Sequence, residues 1–487
     1  MLSRILAAAL LLTACAQAAT LRVPGDQPTI QAGIDAAAEG DIVEVAAGTY
    51  VEKLNFLGKA IEVRGAGQSL SVVDPSSASA GKARVVTFAG GEGPMSVLAG
   101  FSLTGGSANY GGGIRCDGAE PTITDCTISN NTADNSGGGL YCNYFSDPRI
   151  TDCTISNNKA GGSGGGIRCY YSSDPTMINC TVSDNTADGD AGGIYCFDSS
   201  PTIANCTVSN NTADGDAGGV YCASSDPTIT NCTISNNTAY DDGGGINCYL
   251  SSPTVTNCTI SNNTAHGDGG GINCVQGSSP RITNCILWGD APEEIKITSS
   301  CSPAFTYCNV QHGYAGDGNI NADPFFADAG TSDFHLTAGS PCIDTGTADG
   351  APDTDFEGDP RPQGNRVDMG ADEYLSSPGG LELELTDYRS VYSPRDFLGL
   401  TIHIKNSGDE PAGLTKGVFF ATSPPSLDYE EALYDGQLFL IGEGSTFTYE
   451  WGARIPSSAP LGTYNAGIRI YDGDTEISSD AFDFEIQ

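Results

Sequence analysis

Residues 192–216 read GGIYCFDSSPTIANCTVSNNTADGD, and variants of this unit recur from about residue 106 to about residue 288. Its cysteines set the period. One column is Cys116, Cys142, Cys169, Cys196, Cys222, Cys248 and Cys274, in steps of 26 or 27 residues; the second is Cys126, Cys153, Cys180, Cys206, Cys232, Cys258 and Cys285. A short fixed period means a solenoid in which each unit touches only its neighbours. Within the unit, Ile194 and Cys196 alternate as in a strand, as do Cys206 and Val208, whereas Ile203 and Cys206 are three apart. The alternation is broken by bends, and β-branched stretches between Gly-Gly, Ser-Pro and Asn-Asn predict an all-β coil of about three strands. Stacked coils put like residues on like. Ile/Val and Cys columns then fill the interior, and Asn131, Asn158, Asn185, Asn211, Asn237 and Asn263 predict an amide ladder at a left-handed corner.

The composition agrees. The 487 residues include 64 Gly and 25 Pro, too many breakers for a helical protein, while 39% hydrophobic content suffices for a core. The 21 Lys+Arg against 60 Asp+Glu give a net charge of −39, which excludes a nucleic-acid binder that works by neutralising phosphates. Eighteen Cys point to an oxidising compartment. Arg4, the apolar run from Ile5 to Leu12 and the small residues from Thr13 to Ala18 predict a secretory signal over residues 1–18. Leu12-Thr13-Ala14-Cys15 also reads as a lipobox, giving a signal over 1–14 and a lipid anchor at Cys15. Both readings place the protein at the cell surface or outside the cell. No later run is apolar enough to span a bilayer.

Thr29 to Ala37 (TIQAGIDAA), Gly40 to Val45 (GDIVEV) and Gly48-Thr49-Tyr50 resemble the N-terminal cap of right-handed parallel β-helix proteins of the pectin-lyase-like superfamily. Ala322 to Phe326 (ADPFF), Gly339 to Asp344 (GSPCID) and Arg361 to Tyr374 (RPQGNRVDMGADEY) resemble the closing module of bacterial choice-of-anchor Q surface proteins. The resemblance implies a β-helix over 19–375 with a closing module over about 299–375. After a Ser-Ser-Pro-Gly-Gly linker at 376–380, residues 381–487 alternate in about seven strands and predict an immunoglobulin-like β-sandwich without cysteine.

Pectate lyases and polygalacturonases share the implied fold. A lyase needs a Lys or Arg base, and no Lys or Arg lies between Cys169 and Pro280; a polygalacturonase would carry clustered carboxylates with a His and an Arg-x-Lys, and no Arg-x-Lys is present. Two columns remain as candidate sites. Asp190, Asp216, Asp242 and Asp268 share one position, which suits either a solvated turn or a calcium ladder that relieves stacked charge. Calcium is the one cofactor these residues suggest. Arg115, Tyr141, Arg168, Tyr195 and Tyr221 precede the buried Cys of their coils, so alternation turns them outward as a row for a glycan chain or as a self-stacking row. The cysteines predict one disulfide per coil, as in Cys116–Cys126 and Cys274–Cys285, with a reduced apolar ladder as the alternative. Together these features predict a non-catalytic exported β-helix that binds polysaccharide or a surface partner. The competing reading is a polysaccharide lyase or glycoside hydrolase acting on an acidic glycan.

Overall fold

A computed structural model describes residues 18–77 and 81–374, and beyond them strand segments between residues 381 and 486. Residues 1–17 of the expected signal, Cys15 among them, and the 376–380 linker lie outside the described residues. The chain divides into two units, Met1–Glu373 and Tyr374–Gln487.

The first unit is a right-handed parallel β-helix, begun by a cap as the sequence predicts. Thr20–Val23 pairs in parallel with Ile42–Val45, and the helix Ile30–Ala36 packs Ile30, Gly33 and Ile34 inward. Both ends of this short helix are satisfied. Thr29 Oγ1 accepts the Ala32 N–H, the Glu52 carboxylate accepts those of Ile30 and Gln31, and Lys59 Nζ donates to the carbonyls of Ile34, Asp35 and Ala37. Gly33 is needed for close approach, since a Cβ there would sit 2.7 Å from Val43 Cγ1.

Each repeat coil holds four short strands, one more than the alternation suggested. In the quoted coil these are Ile194–Phe197, Thr202–Ala204, Thr207–Ser209 and Thr212–Ala213. The fourth is the Thr-Ala dipeptide after the Asn pair, too short to register as a periodic strand. Stacking yields parallel sheets of ten, twelve, eleven and seven strands. Equivalent residues stay in register from coil to coil, apart from one irregularity between Ala108 and Tyr110 in the seven-strand sheet: Cys169, Cys196 and Cys222 pair in line, as do Ile203, Ile229 and Val255. The period-two pattern thus puts apolar columns of the ten-, twelve- and eleven-strand sheets into a continuous core, and the Cys columns join it.

The Asn ladder forms as expected. Asn185 Nδ2 donates to Asn211 Oδ1 at 3.0 Å and to the Ile155 carbonyl at 2.9 Å, and the Asn185 N–H also reaches Asn211 Oδ1. The left-handed residue, however, is the preceding one: Asn130, Asn157, Asp184 and Asn210 have φ of 55–57°. The ladder amides themselves point into the coil. An unanticipated serine ladder runs at another corner, where Ser173 N–H donates to Ser199 Oγ and Ser199 N–H to Ser225 Oγ.

The cysteine expectation is corrected. All seventeen cysteines among the described residues are free, and sixteen are buried. The two thiols of one coil serve different stacks: Cys196 pairs in register with Cys169 and Cys222, while Cys206 accepts the Cys180 N–H at 3.4 Å. Each sulfur therefore neighbours the equivalent sulfur of the next coil rather than its coil mate. Hydrogen bonds from adjacent thiols, reinforced by burial, push Cys142 and Cys196 well above the ordinary thiol range.

The first residues of the predicted closing module extend the β-helix, with Ala304–Thr306 and Asn309–Val310 ending the twelve- and eleven-strand sheets, and the rest turns back along it. Side-chain amides of Asn231, Asn257, Asn262 and Asn284 donate to the carbonyls of Thr354, Asp368, Ala329 and Thr347. Inside it, Arg361 and Glu373 form a fully buried ion pair at 2.9 Å, and Arg361 also donates to the Gly370 and Ala371 carbonyls. Asp355 is fully buried and accepts the N–H groups of Glu357, Gly358, Asp359 and Glu373.

In the second unit, eight strands form a three-strand and a five-strand sheet among the described residues. Pairing is antiparallel except between Val391–Tyr392 and Glu485–Ile486. Among the described residues, no helix is long and apolar enough to cross a membrane.

Candidate functional site

The Arg/Tyr row lies on the outer face of the ten-strand sheet, as alternation requires, but its rings are covered. Tyr141, Tyr195 and Tyr221 are 5%, 9% and 8% exposed. Tyr195 and Tyr221 stack at 5.0 Å with planes 7° apart, Tyr141 packs against Tyr110, and the Arg168 guanidinium sits 4.8 Å over both Tyr170 and Tyr195. Arg168 also donates to Ser136 Oγ, and Arg115 is paired with Asp117. Burial pushes Tyr141 and Tyr195 up to about 12. The expectation of an open platform is thus corrected. In-register strands set Tyr221 and Arg168 against Tyr195 and Tyr110 against Tyr141, so these rings leave little surface for a polymer along the axis.

The acidic column also satisfies itself. Asp190 Oδ1 accepts the Asp216 N–H at 3.2 Å, Asp216 Oδ1 that of Asp242 at 3.0 Å and Asp242 Oδ1 that of Asp268 at 2.8 Å. Lys296 Nζ closes the row 2.8 Å from Asp268 Oδ2. Burial pushes Asp216 up to about 6, and Asp190 is raised by the same cause. The column does not gather three carboxylates at one point. One oxygen of each of the first three is committed to the backbone of the next coil.

Two features that sequence reasoning missed stand out. The first is an aromatic corner beside the Arg/Tyr row. Tyr144, Phe145, Tyr171 and Leu250 have φ of 52–59° and are 54%, 69%, 41% and 55% exposed. Tyr144 stacks on Tyr171 at 5.5 Å, and Tyr171 touches Tyr170. In other coils this corner is turned by Gly118, Asp198 or Ser224, residues suited to left-handed geometry. The available signal was the replacement of turn residues by rings in two adjacent repeats.

The second is a cleft of about 190 Å³ between the outer face of the eleven-strand sheet and the closing module. Thr207, Thr233 and Ser235 line one side; His335, Glu357 and Asp372 line the other. The strand Asp333–Leu336 presents Asp333 and His335 on one face, with His335 Nδ1 2.5 Å from Asp333 Oδ1 and Nε2 3.1 Å from Glu357 Oε2. Burial opposes charge on His335, but its hydrogen bonds to Asp333 and Glu357 raise its pKa above the usual value. Burial pushes Asp372 up to about 6. Among the described residues, this is the one group of three or more ligand-type residues whose donor atoms all lie within 4.8 Å of one another. The Asp353–Gly358 stretch begins like a calcium loop, but Asp355 is consumed by backbone N–H groups. The chemistry-bearing residue there is Glu357.

Residues 99–233 and 214–319 match the family model described as the right handed beta helix region. No curated protein matches the chain. Among solved structures, a beta-glucosidase from Listeria innocua in complex with laminaribiose aligns at 14% identity and a TM-score of 0.17, covering 22% of this chain and 16% of that one. A sporulation control protein from Bacillus subtilis aligns at 14% identity and a TM-score of 0.17, covering 22% and 50%. The chain spans half or less of each of these structures, and likeness at this level bears on neither fold nor function.

Proposed function

We propose that this right-handed parallel β-helix is exported and binds extracellular polysaccharide, without transforming it, at the corner formed by Tyr144, Phe145 and Tyr171. One observation carries the reading: bulky rings occupy left-handed backbone and face solvent. That conformation costs an L-residue roughly 1–2 kcal/mol, and exposed rings recover little of it by packing. Exposed rings in an ordered group suit the apolar faces of sugars. The net charge of −39 favours neutral sugars over acidic ones unless calcium bridges. In this reading the closing module and an immunoglobulin-like second unit hold the β-helix at the cell surface, with a lipid anchor at Cys15 or free secretion as the two routes out.

Affinity electrophoresis of the full chain in gels carrying neutral or acidic polysaccharides tests it. Tyr144→Gly with Phe145→Gly should abolish retardation, and undiminished retardation would remove this surface. A hydrolase remains the competing reading because His335, Glu357 and Asp372 meet in one cleft. Release of reducing ends by the wild type, lost in Asp372→Asn, would establish it in place of pure binding.

A further inference from the structure

We propose that His335, Glu357 and Asp372 form a binding site for a divalent transition-metal ion of the zinc class, with Asp333 holding the imidazole in its ligating tautomer. The donor set is one imidazole nitrogen and two carboxylates converging within 4.8 Å. With Nδ1–H donating to Asp333, Nε2 carries the lone pair, and it faces Glu357 Oε2 at 3.1 Å. A lone pair aimed at a carboxylate oxygen is repulsive unless a cation lies between them. Either a proton or a metal ion meets that need.

Three further observations favour a metal. Asp372 is only 7% exposed, and its one hydrogen bond among the described residues comes from the Leu336 N–H to Oδ2 at 2.8 Å. A buried carboxylate with so few donors calls for a cation. Two of the three ligands are also oriented from behind: His335 by Asp333 and Asp372 by the Leu336 N–H. Outer partners of this kind fix the ligands of metal sites. Finally, three protein ligands leave a coordination position open to the cleft, where the hydroxyls of Thr207, Thr233 and Ser235 can hold water. The nitrogen donor selects zinc-class ions over calcium and magnesium, which take oxygen ligands.

The full chain, stripped with chelator and dialysed, is titrated calorimetrically with zinc, with cobalt and with calcium. One zinc per chain and a visible cobalt spectrum with a nitrogen-ligand signature are expected, with calcium much weaker. His335→Ala should abolish both signals while circular dichroism stays unchanged. Asp333→Asn should weaken zinc by roughly 10- to 100-fold without altering its stoichiometry, the effect of losing an outer partner. No zinc uptake, or equal uptake by wild type and His335→Ala, would overturn the site; equal zinc affinity in Asp333→Asn would overturn the positioning role. The Tyr144→Gly, Phe145→Gly variant should bind zinc like the wild type, so this proposal and the polysaccharide reading fail separately.

Discussion

Asn263 Nδ2 donates to Asp290 Oδ1 at 2.9 Å, so the amide ladder of the β-helix ends on a buried carboxylate. The Asp290 N–H in turn donates to the Glu294 carboxylate at 3.3 Å. Burial, reinforced by Asp290, pushes Glu294 up to about 10, and burial lifts Asp290 to about 6. Asp216 and Asp372 are also raised to about 6. Each folded carboxyl keeps a proton that the unfolded chain releases. Their contribution to stability is therefore full below pH 4 and is lost as pH rises, through 6 for the Asp residues and through 10 for Glu294. The melting temperature should fall between pH 5 and pH 9, and Glu294→Gln should flatten that fall. A melting temperature that rises over this range in calorimetry would contradict these environments.

Removing one rung of the ladder should be costly. Asn211→Leu strips an acceptor from the Asn185 N–H and side-chain amide and a donor from the Val182 carbonyl, all buried. A loss of about 3 kcal/mol or more is expected from unfolding midpoints. Asn210→Gly, at the left-handed corner next to it, should be close to neutral because glycine tolerates that geometry.

The two aromatic rows should respond in opposite directions. Tyr195→Ala removes a nearly buried ring from its stack on Tyr221 and should cost roughly 3 kcal/mol. Phe145→Gly relieves left-handed strain at an exposed position and should leave the melting temperature level or raise it. A fall for Phe145→Gly as large as that for Tyr195→Ala would show that the corner is structural.

Thiol counting checks the cysteine stacks. Non-reducing mass spectrometry after unfolding should find all seventeen thiols of the described residues alkylated, and alkylation of the native chain should reach none of the sixteen buried ones. Mass losses matching disulfides would show that the stacks oxidise.

Calcium should leave the Asp190 to Asp268 column unaffected, because one oxygen of each of the first three carboxylates already accepts a backbone N–H and Asp268 is paired with Lys296. Asp216→Asn keeps an acceptor and removes a raised carboxyl, so it should stabilise the chain at pH 8. A melting temperature that climbs with millimolar calcium in the wild type and not in this variant would instead establish the ladder as a calcium site.

The sequence by itself determined the repeat, the interior columns and the amide ladder. These follow from local spacing: an in-register parallel stack carries each residue onto its equivalent in the next coil, so one coil describes them all. Tertiary structure decided what became of the outward and turn residues. Whether Tyr195 is a platform or a packed ring depends on how closely the next ring stacks, which the register permits but does not specify. His335 lies 22 residues from Glu357 and 37 from Asp372, and only the return of the closing module along the β-helix brings them into one cleft. No periodicity encodes that meeting, because it is made by long-range packing between segments that share no repeat.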